Sequence, residues 1–209
     1  MKQRIHSVKY RLQNVRYRGR KEKGVILSKV FFFIGTLIVL SGAFGYFFLY
    51  YDPLTSEFAL PDSSSIHVCF SPEEGCEKVI IQALDAAHSE VLVQAYVLTS
   101  VPITDALIKA ARRGVQVSVL YDKGQSHRHN SKIPLLKTHH IYTKIDPANG
   151  SAHNKIMIID GEKVLTGSYN FSSNANLKNA ENLLTITHKD VARAYRDHWM
   201  ARFKKASAD

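Results

Sequence analysis

Residues 30–51, VFFFIGTLIVLSGAFGYFFLYY, run for 22 positions without a charge, and no other feature restricts the chain so sharply. At 1.5 Å per residue such a helix is about 33 Å long, enough to cross a hydrocarbon core of about 30 Å. A buried core helix fits poorly, because the run has no polar face. A cleaved signal peptide is opposed by the long basic stretch ahead of it and by Phe47, Phe48, Tyr50 and Tyr51, which stand where small residues flank a cleavage site. We expect an uncleaved transmembrane signal anchor, with secretion after cleavage as the alternative. Ten Lys/Arg and one acid, Glu22, precede the run. By the positive-inside rule the N-terminus is cytoplasmic, and the chain after residue 51 lies extracytoplasmically, in the periplasm of a bacterium.

The formal net charge of +10 belongs almost wholly to that tail, since 18 basic and 17 acidic residues follow Lys29. It suits anionic lipid headgroups at the membrane surface and says little about what the rest of the chain binds. Two cysteines are too few for a disulfide-built scaffold or a four-thiolate zinc site. Cys69 and Cys76, with six residues between them, can close a small disulfide loop in an oxidising compartment or stay as two buried thiols, and both readings remain open.

Four parts follow: a basic tail (1–29), the membrane anchor (30–51), a Pro- and Ser-bearing linker (52–65) and a folded domain (66–209). Within the last, apolar runs alternate with amphipathic stretches. Strands are expected at 66–70, 91–97, 115–121, 141–145, 154–160, 163–167 and 182–187. Helices are expected at 74–87, 104–113, 132–138 and 190–205, the last with Trp199 facing inward. This alternation predicts an α/β fold, a mixed sheet flanked by helices around one core.

Polar chemistry concentrates in one segment, from Ser151 to Asn170. His153 and Lys155 stand two apart on an expected strand and so share a face. A two-residue hairpin at Asp160-Gly161 or Gly161-Glu162 leads into the next strand. The first sets His153 opposite Ser168; the second sets His153 opposite Asn170 and Lys155 opposite Ser168. Either register gathers His153, Lys155, Ser168 and Asn170 on one face, with Asp160 on the other. Lysine brings a fixed positive charge, serine and asparagine bring neutral donors for phosphate oxygens, and an imidazole can act as nucleophile or proton carrier near neutrality. No acidic pair or His/Cys set accompanies them at metal-ligand spacing.

The segment H-x-K-x4-D-x6-G-S-x-N, met by His153, Lys155, Asp160, Gly167, Ser168 and Asn170, resembles the signature of the phospholipase D superfamily. Downstream, Asn179-Ala-Glu181-Asn182 resembles the acidic element of its small single-motif bacterial endonucleases. The stretches 69–72 and 94–99 and the pair His198-Trp199 are similar to that subgroup too. The likeness spans roughly residues 66–205 and implies a phospholipase D-like α/β/α sandwich. It further implies that His153 attacks phosphorus to form a phosphohistidine, without metal or cofactor. Lys155, Ser168 and Asn170 would hold the non-bridging oxygens, Glu181 would orient a histidine, and Asp160 and Gly167 would be structural.

Such chemistry uses a second histidine, from another copy of the motif. None is present: His129 has Lys132 at the wrong spacing, and His140 has Tyr142 where lysine is needed. The resemblance therefore implies a homodimer sharing one composite active site. Its expected activity is non-specific cleavage of DNA or RNA, with Lys123, Arg128 and Lys132 of the basic 122–144 stretch lining a backbone groove or simply forming a solvated surface. Hydrolysis of glycerophospholipid headgroups is the alternative, and a non-catalytic phosphate-binding module a further one.

Overall fold

The structure, a computed structural model, describes residues 64–207. The basic tail, the apolar segment 30–51 and residues 52–63 of the linker lie outside them. Among the described residues no helix is long and apolar enough to cross a membrane.

Seven strands form one mixed sheet: β1 (Ser65–Ser71), β2 (Glu90–Ala95), β3 (Gln116–Tyr121), β4 (Tyr142–Ile145), β5 (Lys155–Ile159), β6 (Lys163–Gly167) and β7 (Glu181–Thr187). Their spatial order is β1-β7-β6-β5-β2-β3-β4. The β2–β3 and β3–β4 pairs are parallel, and the other four antiparallel. Six helices accompany them: α1 (Cys76–Asp85), α2 (Val101–Arg112), α3 (Lys123–Ser126), α4 (Ile133–Thr138), α5 (Ser173–Leu177) and α6 (Lys189–Lys205). The expected mixed sheet between helices is the observed architecture.

Local sequence explains where the main helices begin. Ser100 caps α2, its hydroxyl accepting from Ile103 N at 3.2 Å, and Pro102 occupies the first turn, where no amide hydrogen is required. The helix therefore starts at Val101, three residues before its expected start. Ile103, Ala106, Leu107 and Ala110 then face the core at helical spacing. On the other side of the sheet α6 packs Val191, Ala192 and Trp199 over Leu92, Leu120, Ile156, Ile158 and Val164. Trp199 is 2% exposed, and its indole nitrogen donates to Val93 O at 2.9 Å. Both faces of the sheet are thus covered at β2 and β5, whose residues are buried nearly throughout.

The β5–β6 hairpin departs from the expected register. Asp160 and Gly161 adopt positive φ (53° and 65°), and Glu162 N donates to Ile159 O at 3.1 Å, as in a tight Asp-Gly turn. Yet the ladder pairs Ile159 with Lys163 and Ile156 with Thr166. Glu162 is an extra residue in the returning strand, and its carbonyl accepts from His188 N at 2.9 Å at the end of β7. This bulge shifts the pairing by one relative to either expected hairpin. Strand alternation therefore does not gather His153, Lys155, Ser168 and Asn170 on one face.

Asp160 fixes this end of the sheet. Its carboxylate accepts from the amides of Ser89 (2.8 Å), Glu90 (3.0 Å) and His88 (3.0 Å) and from the Ser89 hydroxyl (2.8 Å), where β2 begins. Burial works to raise its pKa, but the donors from Glu90, Ser89 and His88 outweigh it and hold the group at about 2. Cys69 and Cys76 are joined by a disulfide with Cα atoms 5.7 Å apart, tying β1 to the start of α1.

Asp160→Asn keeps a side chain that tolerates positive φ but loses the charge, and is expected to cost about 1–2 kcal/mol at neutral pH. The native carboxyl lies below the ordinary aspartate value of about 3.9, so its stabilisation is complete above about pH 4 and is lost as pH falls through about 2. Denaturant unfolding of both proteins across that window should show the gap closing on acidification.

Candidate active site

At the opposite end of β5 from Asp160 the chain emerges from the core with His153, Asn154 and Lys155. His153 is exposed, whereas Lys155 is 7% exposed. The Lys155 ammonium donates to His153 O at 2.8 Å and lies 3.0 Å and 3.2 Å from the two imidazole nitrogens. It also sits 4.9 Å from the centre of the Tyr96 ring, which contacts the His153 ring at a centroid distance of 4.3 Å. Burial lowers the Lys155 pKa from its ordinary value, and the field of Glu181 partly restores it.

Ser168 and Asn170 reach the same end of the sheet by another route. Gly167, the last residue of β6, has φ of 147°, and a Cβ there would lie 2.3 Å from Asn182 O. Only glycine fits both the angle and the approach. The strand breaks off at this point, and the amides of Ser168 and Tyr169 both donate to Asn182 O (3.1 Å and 3.2 Å). Ser168 Oγ accepts from Asn182 N at 3.0 Å. Asn170 borders a polar cleft of about 300 Å³ with Val97, Thr99, Arg128, Asn130, Ser172 and Asn179 among its walls. Its Oδ1 is buried without a hydrogen-bond partner among the described residues.

Glu181 opens β7 and accepts from Asn179 Nδ2 at 3.0 Å. Within one chain its field acts on Lys155 and on the buried Tyr169 hydroxyl, whose pKa is raised first by burial and then by Glu77 and Glu181. Of the basic residues, Arg128 lines the cleft, Lys123 begins α3 and is exposed, and Lys132 precedes α4, its amide donating to Leu98 O at 3.0 Å. Among the described residues no group of three His, Cys, Asp or Glu is placed to hold a metal ion.

Several neighbours of the motif escaped the sequence reading. Asn154 Nδ2 donates to Gln94 Oε1 (3.2 Å), and Gln94 Nε2 donates to the buried Asp146 (2.7 Å), which Arg202 of α6 grips through Nε (2.9 Å) and a terminal nitrogen. Burial opposes ionisation of Asp146, but Arg202 and Gln94 hold its pKa below the usual value. Tyr96 and Gln94 did lie inside the stretch 94–99 that resembled the family. Asp146 and Arg202 left no comparable trace.

A buried cation against an exposed imidazole, with the neutral groups of Ser168 and Asn170 at the same end of the sheet, suits an anionic tetrahedral substrate. Replacing Glu181 by Gln removes the charge that raises the Lys155 pKa. The side-chain NMR titration of Lys155 should have its midpoint below the ordinary lysine value in the native protein, and lower still in Glu181→Gln.

A family model described as "Cardiolipin synthase, PLD-like domain" matches residues 80–202, which contain all of these site residues. The phospholipase D of Rickettsia typhi is 39% identical over 153 residues, covering 72% of this chain and 75% of that protein. Nuc from Salmonella typhimurium, a phospholipase D family member, superposes with a TM-score of 0.66 at 29% identity, covering 69% of this chain and 97% of that one. NucT from Helicobacter pylori shares the fold with a TM-score of 0.66 at 23% identity, covering 70% and 100%. With the motif residues assembled at one end of the sheet of a matching fold, the chain belongs to the phospholipase D superfamily and is a phosphodiester hydrolase.

Proposed function

We propose that this hydrolase cleaves nucleic acid without a metal ion, through a phosphohistidine at His153. A nitrogen of the neutral imidazole attacks phosphorus, and the bond to the leaving oxygen breaks as that oxygen takes a proton. Water then attacks the phosphohistidine, giving up a proton as the P–N bond breaks. A second His153, from another copy of the chain, would supply and later collect the proton. Lys155, Ser168 and Asn170 would bear the charge on the non-bridging oxygens.

The observation carrying the substrate class is the cleft beside the motif. Its walls are polar apart from Val97, and Arg128 is its cation, a lining that suits a sugar-phosphate backbone. Glycerophospholipid is the second reading. The Rickettsia typhi relative is named a phospholipase D, and Ile66, Val68 and Phe70 are exposed along the edge strand that ends beside Glu181. In this proposal residues 30–51 anchor the chain, with the N-terminus cytoplasmic and the catalytic domain extracytoplasmic. The charge bias of the tail supports that placement, and so does a disulfide suited to an oxidising space.

The purified full chain should cut single- or double-stranded DNA or RNA in EDTA, more slowly as salt rises. His153→Ala should lower the rate by at least about 10³-fold. Excess His153→Ala chain mixed with the native chain should suppress the native activity, because each composite site needs two intact imidazoles. Headgroup release from glycerophospholipid vesicles with no cleavage of nucleic acid would replace the first reading by the second. Full activity in the His153→Ala chain would remove both.

A further inference from the structure

We infer that Tyr96, held by Gln125 and through it by the buried Asp122, is a positioning residue that sets the orientation of the His153 imidazole. This rests on the proposed role of His153, and the contacts form one continuous structure. Asp122 is 6% exposed. One of its oxygens accepts from Ala152 N at 2.8 Å, immediately before His153, and the other from Gln125 N at 3.0 Å. Its own amide donates to Ala95 O at 3.1 Å, immediately before Tyr96. Asp122 thus fixes the backbone beside both rings, through its carboxylate before His153 and its amide before Tyr96, and its carboxylate also starts the short helix α3.

Gln125 closes the circuit. Its side-chain Nε2 donates to the Tyr96 hydroxyl at 2.9 Å, while Tyr96 N donates to Asn154 O at 2.8 Å. Tyr96 is held by its hydroxyl and by its backbone amide, and its ring meets the His153 ring at 4.3 Å with a 53° tilt. The ammonium of the buried Lys155 lies against the same two rings. An exposed histidine at the end of a strand would otherwise sample several rotamers, each aiming its nitrogens differently. Restricting it matters because the nucleophile must stand within a few tenths of an ångström of its attack geometry, and a displacement of about 1 Å can cost on the order of 10²-fold in rate. The phenol acts through the imidazole, so its loss should appear in kcat and leave substrate binding nearly unchanged.

The test uses the full chain in detergent, with bis(p-nitrophenyl) phosphate as a probe that favours neither nucleic acid nor lipid. Two readouts are taken: turnover, and the NMR shifts of the His153 ring protons, which feel the ring current of Tyr96 whether or not the protein turns over. We expect Tyr96→Ala to abolish the ring-current shift and lower kcat about 10- to 100-fold, with KM within about threefold. Tyr96→Leu, which fills the space without a ring, should behave alike and covers the case in which the alanine variant fails to fold. Tyr96→Phe should keep most of the shift and remain within about fivefold of native kcat, and Gln125→Leu should match it without adding to it. Unchanged His153 signals in the Ala and Leu variants would overturn the inference. So would unchanged kcat, a rise in KM alone, or a Tyr96→Phe variant as slow as Tyr96→Ala. A native chain that turns nothing over would defeat the proposed function, while the ring-proton shifts would still decide whether Tyr96 orients the imidazole.

Discussion

The antiparallel pairing of β5 with β2 at the centre of the sheet is the constraint on which the site depends. It sets Lys155 opposite Ala95 and Ile159 opposite Val91, so the two ends of β5 acquire different jobs. At one end Asp160 gathers the amides that start β2. At the other the chain surfaces beside Tyr96, with His153 outside and Lys155 inside. Because β5 is covered on both faces by apolar side chains, its position along the sheet has little freedom. A slip of one residue would carry its alternating core residues to the wrong faces.

Electrostatics works with that scaffold. A lysine ammonium buried at a strand end is costly unless its surroundings are polar. Here the His153 carbonyl, the imidazole, the face of Tyr96 and the field of Glu181 surround it. Asp122 and Asp146, both buried, lie behind the site and hold the backbone and the amide side chains that frame the motif. Polar groups are thus spent on organising the chain, and one positive group, Lys155, is left beside His153.

Much of this was legible because strong local signals agreed. The alternation of apolar runs with amphipathic stretches gave the layered α/β architecture, and the Ser151–Asn170 segment located the site. The register of the β5–β6 hairpin was not legible. The bulge at Glu162 depends on an acceptor for His188 N, some 26 residues away in sequence, and no two-residue turn rule contains that contact. The convergence of the motif residues at one end of the sheet follows from another source, the kink at Gly167 imposed by the close approach of Asn182. Arg202 and Asp146 were invisible for a similar reason: an ion pair between a loop and a C-terminal helix leaves no periodic mark.

In the proposed reaction the His153 imidazole carries the phosphoryl group between the two halves of the cycle. Acid-labile, base-stable label should appear on the peptide containing His153 when the native chain is quenched during turnover of a phosphodiester labelled with ³²P at its scissile phosphorus. Labelling of a different residue, or steady turnover with no covalent label at any quench time, would contradict it.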